Sequence, residues 1–338
     1  MKSLQFDAPW GLESLRVADV PDPEPSPGEV LIRMRAISLN YRDLMMITGA
    51  IRGKSDVEAP LVPFSDGCGI VEKIGEGVVR FAVGDRVCPI FFQDWIDGPP
   101  TAPKLATPLV HPISGVGREL AVYPQHGLVK VPDILTDAEA ASLPCAGVTA
   151  WQGLFANINL LPGSTVLLIG TGGVSILGLQ FAAAAGCQTI ILSSSDDKLA
   201  RAAAMGATHG INYRQHPEWA REVRRLTHGK GVDLVLEVGG NGTLRKSLRS
   251  LRVGGHLALI GLLDSGASDF DTASLLGSQA SIKVISVGSR EHFEQMNVLI
   301  EMAGIRPVID RAFPWTQAAD ALAYLKSGQH FGKVVLEF

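Results

Sequence analysis

The chain has 338 residues, 46% of them apolar, and a formal net charge of −4 with both signs mixed along it. That length exceeds one comfortable hydrophobic core, so two domains are expected, and the even charge distribution excludes a nucleic-acid groove, which needs clustered Lys and Arg. With no run of about 18 apolar residues and no long apolar leader, neither a membrane span nor a secretory signal is expected, and a reduced cytoplasm is the expected compartment.

Residues 1–148 read as short strands separated by turn residues, the plainest being Val30–Arg35 and Gly69–Ile74. That pattern predicts a compact β domain. Residues 93–117 are rich in Pro and Gly with little periodicity and are read as a surface lobe or a flap near a pocket. The four cysteines, Cys68, Cys88, Cys145 and Cys187, are widely separated and show no C-x-x-C spacing, so neither a structural zinc nor a redox pair is expected.

From residue 149 the pattern changes to apolar runs alternating with helical periodicity. Val166–Ile169, Thr189–Leu192, Leu234–Glu237 and His256–Ile260 each resemble a strand buried on both faces. The stretches Ile176–Ala185 and Lys198–Met205 supply the helical crossovers that a parallel sheet needs, which predicts a doubly wound α/β domain. Arg221, Arg224 and Arg225 have helical spacing and are read as a solvated face. Ser281–Val287 reads as a last strand.

Val166–Ile169 runs directly into Gly170-Thr171-Gly172-Gly173-Val174-Ser175, and an apolar helix follows. Glycines let the backbone turn tightly and approach a pyrophosphate, while a helix N-terminus offers N–H groups and partial positive charge. Ser175 stands at the third glycine position of this fingerprint, and a glycine-rich turn of any α/β protein is the bland alternative. The following βαβ unit favours the dinucleotide reading, for its second strand ends about 20 residues on, where the ribose-reading residue belongs. That place holds Ser193-Ser194-Ser195, followed by Lys198, rather than a carboxylate. Hydroxyls and an ammonium suit a 2′-phosphate, so NADPH is favoured and NADH remains possible. The alternative is a polar strand end capping the next helix, with Asp196 or Asp197 facing a ribose.

Several further motifs carry a family resemblance over nearly the whole chain. They are Pro27–Ile32, Leu39-Asn40-Tyr41-Arg42-Asp43, Pro63–Val71, Val83–Val87, Ala141–Ala150 and Phe331–Leu336, together with the glycine turn. The chain resembles the medium-chain dehydrogenase/reductase family, in its zinc-independent, quinone oxidoreductase-like and alcohol dehydrogenase-like branches. The resemblance implies a Rossmann-type doubly wound parallel sheet domain over 149–287. It also implies a GroES-like β domain over 1–148 completed by 288–338, with the active site in the cleft between the two.

Zinc-dependent members hold catalytic zinc at positions that match Asn40, Ser65 and Cys145, and an amide and a hydroxyl are poor zinc ligands, so no metal site is expected. The relay positions of those enzymes match Arg42 and Met45, so their proton donors do not transfer. The resemblance leaves Asn40, Tyr41, Ser65, Asp66 and Phe91 as catalytic candidates. Asn40 either bonds substrate or cofactor or ties down a turn; Phe91 is either a pocket aromatic or core. Asp66 is either an ion-pair anchor, with Arg42 or Lys333, or a proton donor. Cofactor candidates are Thr149, Gly170, Gly172, Gly173, Val174, Ser193, Ser194, Lys198, Tyr213, Gly239, Gly261 and Lys333. Among these, Thr149 is alternatively a helix cap and Tyr213 a loop aromatic. Lys333 matches a basic residue facing the pyrophosphate, with a solvated lysine as the alternative. Cys145 is read as a buried apolar residue.

These readings converge on a zinc-independent NADPH oxidoreductase that reduces a small apolar carbonyl, quinone or activated alkene. The alternatives are a non-catalytic NADP(H) sensor and a zinc-dependent alcohol dehydrogenase. A homodimer is expected, because relatives pair across a two-fold axis at the edge strand that Ser281–Val287 would form.

Overall fold

The computed structural model describes every residue except 51–59, 157, 159, 262 and 264–271. Two compact units emerge, one formed by Met1–Val148 with Val287–Phe338 and the other by Thr149–Ser286. No helix among the described residues is long and apolar enough to cross a membrane.

Among the described residues seven strands precede the second unit: β1 (Lys2–Gln5), β2 (Arg16–Asp19), β3 (Glu29–Ser38), β4 (Asp66–Ile74), β5 (Arg86–Pro89), β6 (Leu120–Pro124) and β7 (Leu128–Lys130). The second unit contributes β8 (Thr165–Leu168), β9 (Gln188–Ser193), β10 (His209–Asn212), β11 (Val232–Glu237), β12 (Leu251–Leu259) and β13 (Ser281–Val284). The returning chain adds β14 (Ile309–Pro314) and β15 (Lys333–Glu337).

In the first unit β3 is the organising strand. It pairs with β4 and β15, and β6 adds to it, within a sheet of order β14-β15-β3-β4-β5-β7. Its apolar residues Val30, Ile32, Met34 and Ile37 are buried with Phe6, Phe64, Val334 and Leu336 in one core. The register decides what meets at the strand's end, for Ser38 lies opposite Asp66 on one side and Val335 on the other. Residues 39–40, 65–66 and 333 therefore arrive together, although they are far apart in the chain.

The second unit is a parallel sheet of order β10-β9-β8-β11-β12-β13, the doubly wound topology. From β8 the chain winds outward to β10, then returns beside β8 with β11 and winds the other way. The end of β8 is thus the switch point at which open α/β sheets bind ligands. Leu167, Ile190, Leu192, Val235 and Leu257 pack in its core with Trp219 and Val223.

Two readings are corrected here. Arg224 is not part of a solvated face: its guanidinium donates to the carbonyls of Arg249 (2.9 Å), Gly229 (2.9 Å), Lys230 (3.0 Å) and Leu251 (2.6 Å), joining helix, turn and strand. Residues 93–117 are not merely a surface lobe, because Trp95, Leu109, Val110 and Val116 are buried and the Trp95 indole N–H donates to Gly98 O at 2.9 Å. A Pro-rich stretch without periodicity hides such anchors, since each packs singly rather than on a repeating face.

Candidate active site and dinucleotide turn

Within the first unit, the helix Tyr41–Ile47 starts directly after β3, with Asn40 at its cap. Asp43 accepts from the Asn40 backbone N–H at 2.8 Å, and its own N–H donates to Asn40 O at 3.0 Å. This is the spacing of a capping box, with Asp in the usual Glu place. It was the overlooked signal for Asp43.

Lys333, the first residue of β15, is 3% exposed, so the solvated-lysine alternative is excluded. Its ammonium donates to Leu39 O at 2.7 Å and to Asn40 Oδ1 at 2.6 Å. With Oδ1 spent on the ammonium, Nδ2 is the group left on the amide; it is buried, completes no hydrogen bond of good geometry among the described residues, and has the Asp66 carboxyl as its polar neighbour. On the far side, Asp66 accepts from Ser65 Oγ at 2.7 Å and from the Cys145 N–H at 2.9 Å. Asn40, Ser65, Asp66, Cys145 and Lys333 therefore form one cluster. Asp66 makes no direct ion pair among the described residues. Lys333 is nevertheless the cation that chiefly opposes the upward push of burial on its carboxyl, with Ser65, Asn40 and the Cys145 N–H also helping.

The electrostatics are those of a cluster withdrawn from water. Burial lowers the Lys333 pKa against the pull of Asp66, Cys145 and Asp43. Burial also pushes Asp43 up to about 7, opposed by Arg42, the Asn40 N–H and Lys333 and assisted by Asp66. The Cys145 thiol is pushed up to about 12, by burial first and the Asp66 charge second.

This donor set does not fit a divalent metal. The amide oxygen is spent on an ammonium and the hydroxyl on Asp66, so of the three positions only Cys145 offers a donor of the thiolate, imidazole or carboxylate kind that zinc needs. The Lys333 charge would also repel the ion. Among the described residues no group of three or more His, Cys, Asp or Glu is placed to hold a metal.

Phe91 is 5% exposed, and the Arg42 guanidinium carbon lies 4.5 Å above its ring. Tyr41 stands apart from the cluster, 44% exposed on the first turn of its helix.

In the second unit the glycine turn follows β8 as expected. Gly170 has φ +76°, which only glycine adopts without strain, and Gly172 caps the helix Gly173–Ala184 without any side-chain bond. The helix's first N–H groups, including that of Val174, are thus left without a side-chain cap, which fits a pyrophosphate cradle. Ser175 is turned inward, donating to Ile169 O at 2.7 Å, so a serine is accommodated there. Close helix-to-strand packing falls instead on Gly178, where a Cβ would lie 2.8 Å from Leu236 Cδ1.

Gly239 and Gly261 lie beyond β11 and β12. A Cβ on Gly261 would strike the Val238 carbonyl, and one on Gly239 the Thr243 side chain. Between them Glu237, fully buried, was missed as a positioning residue. It accepts from the Gly239 N–H (2.7 Å), the Gly240 N–H (3.1 Å), Thr243 Oγ1 (2.6 Å) and Ser247 Oγ.

At the end of β9, Ser193 is 3% exposed and its Oγ accepts from the Ser195 N–H at 3.3 Å, while Ser194 is half-buried. Lys198 lies in the first turn of the helix Asp196–Ala204. Asp196, weighed as a ribose reader, is engaged by Asn212 Nδ2 at 2.8 Å and Gln215 Nε2 at 2.9 Å. Tyr213 is 41% exposed, its N–H bonded to Ser193 O at 3.0 Å. Thr149 is buried at the start of the second unit.

A doubly wound sheet with this turn, joined in one chain to a β domain, defines a nicotinamide-dependent oxidoreductase. The comparisons with known proteins identify which. Residues 26–133 match the alcohol dehydrogenase GroES-like domain, and residues 173–302 match the zinc-binding dehydrogenase family. A zinc-type alcohol dehydrogenase-like protein of Schizosaccharomyces pombe is 42% identical over 97% of this chain and 96% of its own. A Pseudomonas aeruginosa quinone oxidoreductase is 32% identical over 99% of both chains. A 2-haloacrylate reductase of a Burkholderia species is 30% identical over 92% of this chain and 91% of its own. Among solved structures, an NAD-dependent alcohol dehydrogenase superposes with TM-score 0.91 at 32% identity, covering 100% of both chains. A mycobacterial protein complexed with NADPH does so with TM-score 0.83 at 28% identity, again over 100% of both. The chain belongs to the medium-chain dehydrogenase/reductase family, in its alcohol dehydrogenase and quinone oxidoreductase-like branch.

Proposed function

We propose that the chain is a zinc-independent, NADPH-dependent oxidoreductase that reduces a small apolar carbonyl, quinone or activated alkene by hydride transfer. The observation that carries this reading is the buried Lys333–Asn40 pair, in which an ammonium occupies the amide oxygen and leaves the amide nitrogen, beside Asp66, as a donor with no well-formed hydrogen bond among the described residues. A buried donor left unmade costs about 1–3 kcal/mol, and an acceptor oxygen would recover it.

A reduced nicotinamide, when bound, supplies the hydride. Gly170, Gly172, Gly173 and Val174 would hold the pyrophosphate, with Ser193, Ser194 and Lys198 at the ribose. The protein's own work is then orientation and charge stabilisation. Asn40 Nδ2 is assigned to the substrate oxygen, and Lys333 behind it polarises the amide as negative charge develops. Such donors stabilise an oxyanion by about 3–4 kcal/mol, which favours substrates already activated by conjugation. The names of the quinone oxidoreductase and 2-haloacrylate reductase relatives support that class. The absence of a carboxylate at Ser193 and the engagement of Asp196 elsewhere support NADPH.

The test is NADPH oxidation with a panel of quinones, enones and aldehydes, before and after chelation. Turnover unaffected by chelators is expected. Near-stoichiometric zinc with activity lost on chelation and restored by zinc would overturn the mechanism, and NADPH binding with no turnover of any acceptor would favour a sensor.

A further inference from the structure

Arg42, like Arg118 and Arg311, lies over an aromatic ring rather than against a carboxylate, and it alone of the three follows Asn40 closely in the chain. Arg16, Arg33, Arg86, Arg252 and Arg306 each meet a carboxylate within 3.0 Å. Arg42 meets none within ion-pair distance among the described residues. Its one hydrogen bond among the described residues is a long one, from Nη1 to Leu109 O at 3.4 Å. Arg42 is half-buried, and its guanidinium carbon lies over the Phe91 ring, 4.5 Å from the centroid. The negative face of the ring holds the cation in place without using its N–H groups, which remain available to a ligand. None of the Arg42 nitrogens is a buried unsatisfied donor among the described residues, so the N–H groups that make no bond within the protein stay open to water or to an anionic ligand.

Its location ties that cation to the candidate active site. Arg42 follows Asn40 by two residues, its ring partner Phe91 is a candidate pocket wall, and its charge acts on both Asp43 and Cys145. Asp43 feels this charge but makes no ion pair with it among the described residues: one carboxylate oxygen accepts from the Asn40 N–H and the other has no hydrogen-bond partner.

We propose that Arg42 is the specificity-determining residue of this site, and that the substrate is a conjugated carbonyl compound carrying a carboxylate. The guanidinium grips the carboxylate, and Asn40 takes the reacting oxygen. This rests on the reductase reading above and narrows it, replacing a wholly apolar substrate with one whose apolar body ends in an acid. Bidentate geometry accounts for Arg at this position, because planar N–H pairs match the two carboxylate oxygens.

The experiment pairs β-acetylacrylate with its methyl ester, each measured as kcat/KM with NADPH in the native protein, Arg42→Met and Arg42→Lys. The native protein is expected to favour the acid by about tenfold or more, the worth of a charge-assisted contact. Arg42→Met should bring the acid-to-ester ratio near one, mainly through the KM of the acid, and Arg42→Lys should restore part of it. A native preference for the ester, or a ratio that Arg42→Met does not change, overturns the proposal. If neither probe oxidises NADPH, the reductase reading fails separately. Calorimetric titration of levulinate into the cofactor-loaded protein then decides the role of Arg42. Binding that is lost in Arg42→Met supports it, and binding equal in both proteins, or none in the native one, overturns it.

Discussion

Lys333 and Asn40 are 293 residues apart in sequence, yet the lysine ammonium lies 2.6 Å from the asparagine Oδ1. The bond joins the first residue of the last strand to the residue that starts the first helix of its sheet. It orients the Asn40 amide and supplies the positive charge behind it. Lys333→Met keeps the length and apolar stem but leaves Leu39 O and Asn40 Oδ1 without their donor. A loss of about 2–4 kcal/mol of stability is expected, because buried acceptors are stranded. Turnover should fall at least tenfold, with the stability change read by urea unfolding and turnover by NADPH oxidation below the melting temperature. Unchanged turnover would remove Lys333 from the mechanism.

Asp43 gives the pH dependence. Its folded pKa, about 7, lies above the unfolded value of 3.8, so the native state holds the proton more tightly. Its stabilising contribution is therefore complete below the unfolded value and declines as pH rises towards the folded one. Asp43→Asn removes the titration while keeping an acceptor for the Asn40 N–H. The variant's melting temperature relative to the native protein should rise steadily between about pH 4 and pH 8. A pH-independent difference would mean that Asp43 is already charged throughout.

Glu237 accepts four hydrogen bonds within ten residues of itself, from Gly239, Gly240, Thr243 and Ser247. Glu237→Gln replaces one carboxylate oxygen by a donor, so at least one of those bonds is lost. A cost of about 1–3 kcal/mol is expected. Amide exchange at Gly239 and Gly240 should accelerate and the dissociation constant for the cofactor should rise. Unchanged exchange at both glycines would show that the carboxylate does not hold this turn.

Local pattern carried much of the fold and little of the site. Val30–Arg35 and Val166–Ile169 are recognisable as strands because burial imposes alternation on one and a continuous apolar run on the other. The true extent of β3, Glu29–Ser38, was not legible, since Ile37 and Ser38 are buried by β4 and β15, which arrive from elsewhere in the chain. Lys333 illustrates the same limit. Its sequence neighbours suggest a solvated or phosphate-facing lysine, and only the pairing of β15 with β3 places its ammonium on Asn40. Arg224 looked solvated because helical spacing says nothing about the carbonyls that a neighbouring turn and strand bring to it. Ser175 was readable as a departure from the glycine pattern, but its accommodation depends on a bond to Ile169 that no spacing rule encodes.

Cofactor choice is expected to follow the end of β9. Ser193→Asp places a carboxylate where a 2′-phosphate would lie and where a free ribose hydroxyl would instead donate to it. The native protein should bind NADPH more tightly than NADH, and the variant should reverse that order. Fluorescence titration of both cofactors measures it. Tighter NADH binding by the native protein would reject the assignment of Ser193, Ser194 and Lys198 to the phosphate.

The outer strand of the parallel sheet bears on assembly. β13 pairs only with β12 in that sheet, through Ser281 to Val284, and its other edge has no neighbouring strand among the described residues. Ile282 is 36% exposed and Val284 65% exposed, so apolar side chains accompany unpaired backbone groups. The strand carries one charge, the exposed Lys283, a guard that edges often bear against further pairing, so recruitment of another strand rests on the exposed apolar Ile282 and Val284 beside it. A second copy of the same chain is the simplest occupant, because a two-fold axis lets one edge satisfy both partners. A homodimer is therefore expected at micromolar concentration. Val284→Glu should shift it towards monomer by setting two buried carboxylates against each other, without unfolding the subunit, since the side chain is exposed within a single chain. Light scattering with circular dichroism checks both points, and a monomer mass for the native protein would reject this edge as an interface.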